Sequence, residues 1–150
     1  MGYGVLKYEK NRFTTLDYGT VDTPAKLPVP ARLEIIYKGI TDICRRFTPD
    51  DLAIEKLYFN TNQKTVIDVC QARGVAVLAA QLGRLEIYEY TPLQIKQAIV
   101  GYGRAEKMQV MMMVKSILML EKLPRPDDAA DGLAVAVCHA HSKNIARLVL

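Results

Sequence analysis

Two carboxylates open the most informative stretch of this chain, Pro126-Asp127-Asp128-Ala129-Ala130-Asp131-Gly132-Leu133-Ala134-Val135-Ala136-Val137. Asp128 and Asp131 stand three residues apart, so in a helix they share one face and repel each other. Two arrangements answer that repulsion. One is a divalent cation held between them; the other is the dipole of the helix whose first turns they occupy. A third acid favours the cation. Glu55 ends the apolar run Leu52-Ala53-Ile54-Glu55, and in a strand it takes the face opposite Leu52 and Ile54. An ionised glutamate is costly to bury without a partner. A cation shared by Glu55, Asp128 and Asp131 supplies one, and oxygen-only ligation suits Mg²⁺ or Mn²⁺.

The elements that must position these acids follow from periodicity. Residues 2–8 and 12–22 read as strands joined by the polar link Glu9-Lys10-Asn11, a hairpin. Pro24, Pro28 and Pro30 mark a loop. Residues 31–47 form an amphipathic helix with Leu33, Ile36, Ile40, Ile43 and Phe47 on one face, ended by Thr48-Pro49-Asp50. Residues 51–57 are a strand carrying Glu55. Residues 63–82 are a long helix, apolar almost all round at Val75, Ala76, Val77, Leu78, Ala79 and Ala80, which places it in a core or a subunit interface. A strand over 85–90 follows. Helices then span 92–100, 104–121 and 127–149, with Gly101-Tyr102-Gly103 as the break. The run Met111-Met112-Met113 reads as core filler. The order ββαβαβααα predicts a mixed sheet covered by helices, an α/β class, in a single domain over 1–150.

Composition narrows the setting. At 150 residues, half of them hydrophobic, the chain can bury one real core. No apolar run has the length of a membrane span, and the N-terminus shows no secretory pattern. Three scattered cysteines, Cys44, Cys70 and Cys138, point to reduced thiols and a cytoplasmic protein without membrane partners. Cys138, His139 and His141 lack a second cluster of zinc spacing. A net charge of +4 permits a polyanionic partner without demanding one.

The chain resembles the RuvC family of Holliday-junction resolvases. Six segments carry the likeness, in the family's order and spacing: Gly2-Tyr3-Gly4-Val5, Ala53-Ile54-Glu55, Gln71-Ala72-Arg73-Gly74-Val75-Ala76, Gln94-Ile95-Lys96-Gln97-Ala98-Ile99-Val100-Gly101, Ala105-Glu106-Lys107-Met108-Gln109-Val110, and Asp128-Ala129-Ala130-Asp131-Gly132-Leu133-Ala134-Val135-Ala136. The resemblance implies a ribonuclease-H-like fold, a homodimer, and Mg²⁺-dependent nicking of two opposing strands at a four-way DNA junction. It puts Glu55, Asp128 and Asp131 among the catalytic, metal-holding acids. Two metals about 3.5–4 Å apart activate a water and stabilise the leaving oxygen of a phosphodiester. Lys96 and Lys107 match lysines near the scissile backbone; as bare helix residues they read as solvated charge. Tyr58, and after it Phe59, match an aromatic that stacks on an unpaired base; otherwise they read as core. Arg73 is either a DNA contact or helix surface. A branch-migration helicase complex is the expected partner.

One departure matters. The family opens with a central strand ending in Asp-Pro-Gly, whose aspartate is the first catalytic acid, and here Met1 stands immediately before Gly2-Tyr3-Gly4. Asp17 and Asp22 do not match that motif. The expectation is a longer native product that includes the strand. The alternative is a catalytically incomplete junction-binding protein. A third reading, a nuclease acting on RNA–DNA hybrids, would discriminate by the 2′-hydroxyl rather than by junction shape.

Overall fold

The computed structural model describes residues 1–58 and 63–149, with side-chain surroundings for 1–58 and 66–143. The elements run β1 (Gly2–Glu9), β2 (Arg12–Thr20), α1 (Val29–Phe47), β3 (Asp51–Glu55), α2 (Gln63–Leu82), β4 (Glu86–Tyr90), α3 (Pro92–Val100), α4 (Lys107–Ile117) and α5 (Asp127–Val149). This is the order the periodicity predicts. The strands form two ladders, β1–β2 and β3–β4. The first is an antiparallel hairpin whose register runs from Gly2 opposite Thr20 to Glu9 opposite Arg12, with an irregularity between Val5 and Leu6. Lys10 and Asn11 both take positive φ, 49° and 61°, the backbone that a two-residue turn needs to match the strand twist.

Contacts divide the chain into two compact units. The first comprises Met1–Thr20, Ala53–Glu55 and the chain from Glu89 onward. Its core gathers Ile95 and Ile99 of α3, Val114 of α4 with Leu118 just beyond it, and Leu133, Val137 and Cys138 of α5. Leu6, Phe13 and Tyr18 of the hairpin pack against that cluster. The second unit comprises Val21–Leu52 and Lys56–Tyr88. Here α1 packs on α2, burying Ile36, Ile40, Ala76, Ala79 and Ala80, and Arg32 reaches Asp68 at 3.7 Å. A cavity of about 340 Å³ lies in this unit between Thr41 and Cys44 of α1 and Leu82 of α2, with no acid in its lining.

Several boundaries differ from expectation: β2 ends at Thr20 and β3 at Glu55, each two residues early. Helix α1 begins at Val29, two residues early, because Pro30 sits at its first turn, where a missing N–H costs nothing. Helix α4 is shorter than 104–121: the backbone N–H of Glu106 donates to the Gln109 side chain at its start, and Met119 takes φ 50° just past its end. The methionine run is core filler only in part. Met111 is 2 % exposed, but Met112 is 59 % exposed and Met113 also faces out. Successive helical residues turn about 100°, so three in a row cannot share one buried face.

Candidate nucleic-acid and metal site

The predicted acids Glu55, Asp128 and Asp131 all belong to the first unit. Helix α5 approaches strand β1 unusually closely, and glycine makes the approach possible. A Cβ on Gly132 would stand 2.7 Å from the Tyr3 backbone. One on Gly2 would stand 1.8 Å from the Asp128 carbonyl oxygen, and one on Gly4 would meet Leu133 within 3 Å. Backbone therefore lies on backbone where Asp128 and Asp131 emerge. The hairpin acid Asp17 is engaged elsewhere, accepting from the Tyr3 hydroxyl at 3.1 Å and from the Tyr18 N–H.

Glu55 closes β3 as an exposed side chain rather than the buried acid that the apolar run suggests, because it stands at the strand's end, and it lies near enough to Asp131 to feel its charge. Its carboxyl pKa is raised, first by partial withdrawal from water and then by the negative charge of Asp131, while the Lys96 ammonium opposes the rise. Lys96 reaches that position from α3, whose start is fixed by reciprocal bonds between Thr91 and Gln94. Lys107 opens α4. Its ammonium lies 3.5 Å from Asp131 and 3.6 Å from Asp127, and these acids, Asp131 foremost, raise its pKa. Gly101 caps α3 in the left-handed conformation at φ 88°, and a Cβ on Gly103 would collide with Leu93. These glycines are therefore explained by the turn that sets Lys107 in place.

Glu55, Asp131, Lys96 and Lys107 are thus brought together. Asp128 emerges on the first turn of α5 as an exposed side chain. Among the described residues no three His, Cys, Asp or Glu side chains stand grouped as a ready cation cage. The donor chemistry nevertheless fits a hard divalent cation, because every donor is oxygen and Glu55 and Asp131 repel one another. In the second unit, Tyr58 is 67 % exposed, so the core reading fails for it, and Arg73 lies half-buried on α2. Phe59 lies outside the described residues. His139 bonds to the Tyr90 hydroxyl at 2.8 Å, and His141 packs edge-on against Phe13. Sequence reasoning missed Asp127, although Lys107 and the doubled acid Asp127-Asp128 were both visible as charge complements.

The family profile for crossover junction endodeoxyribonuclease RuvC matches residues 1–139. The chain belongs to the RuvC family. It is 58 % identical over 142 residues to the crossover junction endodeoxyribonuclease RuvC of Alkaliphilus metalliredigens, covering 95 % of this chain and 87 % of that one. The RuvC of Clostridioides difficile is 52 % identical, with 97 % and 86 % covered. Among solved structures, Thermus thermophilus RuvC in complex with a Holliday junction substrate matches with a TM-score of 0.90 at 32 % identity, covering 97 % of this chain and 88 % of that one. A second Thermus thermophilus RuvC structure matches with a TM-score of 0.89. The fold is accordingly the ribonuclease-H-like α/β fold of this family, and no helix among the described residues is long and apolar enough to cross a membrane.

Proposed function

We propose that this RuvC-family chain is an endonuclease that resolves four-way DNA junctions by paired, symmetric phosphodiester hydrolysis during recombination and repair. The observation that carries the reading is the coupling of Glu55 to Asp131, flanked by the Lys96 and Lys107 ammonium groups. Carboxylates there can hold a hard cation, and the flanking ammonium groups can attract a phosphate. Glu55, Asp128 and Asp131 would hold the divalent ions, with Mg²⁺ the first candidate and Mn²⁺ the second. When bound, those ions supply water activation and stabilisation of the leaving oxygen. The chain's own contribution is placement. Lys96 and Lys107 attract the phosphate backbone to the acids, and that attraction weakens as salt rises. Tyr58, with Phe59 second, offers a ring to an unpaired base, and Arg73 a further backbone contact.

The assembly reading rests on α2. Ile67, Leu78 and Leu82 are exposed, and their spacing of eleven and four residues lines one helical face. An apolar stripe of this kind fits a second copy of the chain. We therefore propose a homodimer, whose two sites face the two opposing strands of a junction. The chain acts as one nuclease domain in the cytoplasm, alongside a branch-migration helicase complex.

The test is incubation of the full-length protein with a synthetic four-way junction, a linear duplex of the same sequence and an RNA–DNA hybrid, with and without Mg²⁺. Paired nicks in the junction alone, only with Mg²⁺, are expected. Cutting of the hybrid in preference would overturn the junction reading, and metal-independent binding with no nicks would restore the binding-only alternative.

A further inference from the structure

Asp127 stands outside the acids assigned to metal, yet cations flank it on both carboxylate oxygens. One carboxylate oxygen, Oδ1, accepts from the Arg125 guanidinium. The other, Oδ2, faces the Lys107 ammonium at 3.6 Å. Lys107 in turn lies 3.5 Å from Asp131. The result is a line of alternating charge, Arg125–Asp127–Lys107–Asp131, whose last acid repels Glu55. Each link is exposed, so none adds much to stability. Its consequence is position. A lysine is a point charge on a flexible four-carbon stem and goes where its counter-ions hold it.

We propose that Asp127 is a positioning residue for Lys107, keeping its ammonium at the edge of the acid cluster where the DNA backbone must pass. This rests on the reading of that cluster as the nuclease site. Asp131 alone cannot do the task. An Asp131 carboxylate engaged by a divalent cation would hold Lys107 less firmly, because its negative charge would be shared with the ion. Asp127 remains as counter-ion, and Arg125 fixes Asp127 from the opposite side.

Asp127→Asn removes the charge while keeping a residue equally suited to the start of a helix. Asp127→Glu keeps the charge. In the native full-length enzyme, Asp127→Asn should lower kcat about fivefold with KM on a junction substrate unchanged, and Asp127→Glu should restore most of the loss. In a Lys107→Met background, Asp127→Asn should have no further effect, because the two residues act as one unit. A metal-free readout accompanies these: limited acylation mapped by mass spectrometry should label Lys107 faster in Asp127→Asn than in the wild type. Equal labelling, or the same fold-loss in kcat with and without Lys107, would overturn the proposal. If the wild type cuts no junction, the nuclease reading fails, and the labelling of metal-free protein still decides the role of Asp127.

Discussion

The β1–α5 contact and the outer face of α2 use glycine and apolar residues to opposite ends. In the first, Gly2, Gly4 and Gly132 have no room for a side chain, and the absence of one lets two backbones touch and aim Asp128 and Asp131. In the second, Gly74 has nothing within 4 Å of where its Cβ would be, and Leu82 is 62 % exposed. The first region is finished within the chain. The second is apolar and open, the kind of surface that the proposed second copy would cover. The proposed acid site is placed by contacts that tolerate no addition, the proposed interface by a face with room for one.

Substitutions can break that contrast. The largest effect belongs to Gly132→Val. Its branched Cβ must displace the Tyr3 backbone, at a cost of about 2–3 kcal/mol, so thermal denaturation should show Tm lower by about 5–10 °C. Leu78→Asp should leave the fold intact but place a charge in the proposed interface. Light scattering should then give the 16.8 kDa mass of one chain where the wild type gives twice that mass. An unchanged dimer would move the interface off this face of α2.

Smaller effects sharpen the comparison. Partial loss of solvation and the charge of Asp131 hold the exposed Glu55 carboxyl above its ordinary value in the folded chain, so its proton is bound more tightly folded than unfolded. The sign is that of a raised acid: the fold is relatively favoured below the ordinary carboxylate range and loses that advantage as pH rises through the raised value. Glu55→Gln should therefore raise Tm of the metal-free protein at neutral pH by about 1–3 °C, and the gain should vanish at low pH. Of similar size is Gly74→Ala in the Leu78→Asp background, which is expected to remove the proposed interface. With open space around the site and a helix to favour, Tm should rise by about 1–3 °C. A fall would mean that the α2 face is packed by its own chain.

Much of this was legible in the residues. The nine elements follow from periodicity, because the hairpin turn, the prolines and Gly101 punctuate them clearly. Glu55 and Asp131 were legible as partners because each is awkward alone, one at the end of an apolar strand and one beside a like charge. The outward turn of Met112 was legible in principle from helical geometry, but a run of identical apolar residues hides its own phase. The service of Lys107 to Asp127 as well as Asp131 was not legible, since it depends on how the α3–α4 turn sets the start of α4 against α5. Nor did periodicity reveal why Gly2, Gly4 and Gly132 are glycine. Close approach between distant segments is a tertiary fact, and each glycine taken singly reads as an ordinary strand or helix residue.

The central claim is that Glu55 and Asp131 form a catalytic acid pair rather than a structural one. Glu55→Gln in the native full-length protein tests it most directly, with mobility shift and paired nicking scored on the same four-way junction in Mg²⁺. Nicking should be abolished while the binding midpoint stays in place. Nicking at the wild-type rate would contradict that claim and remove Glu55 from the site.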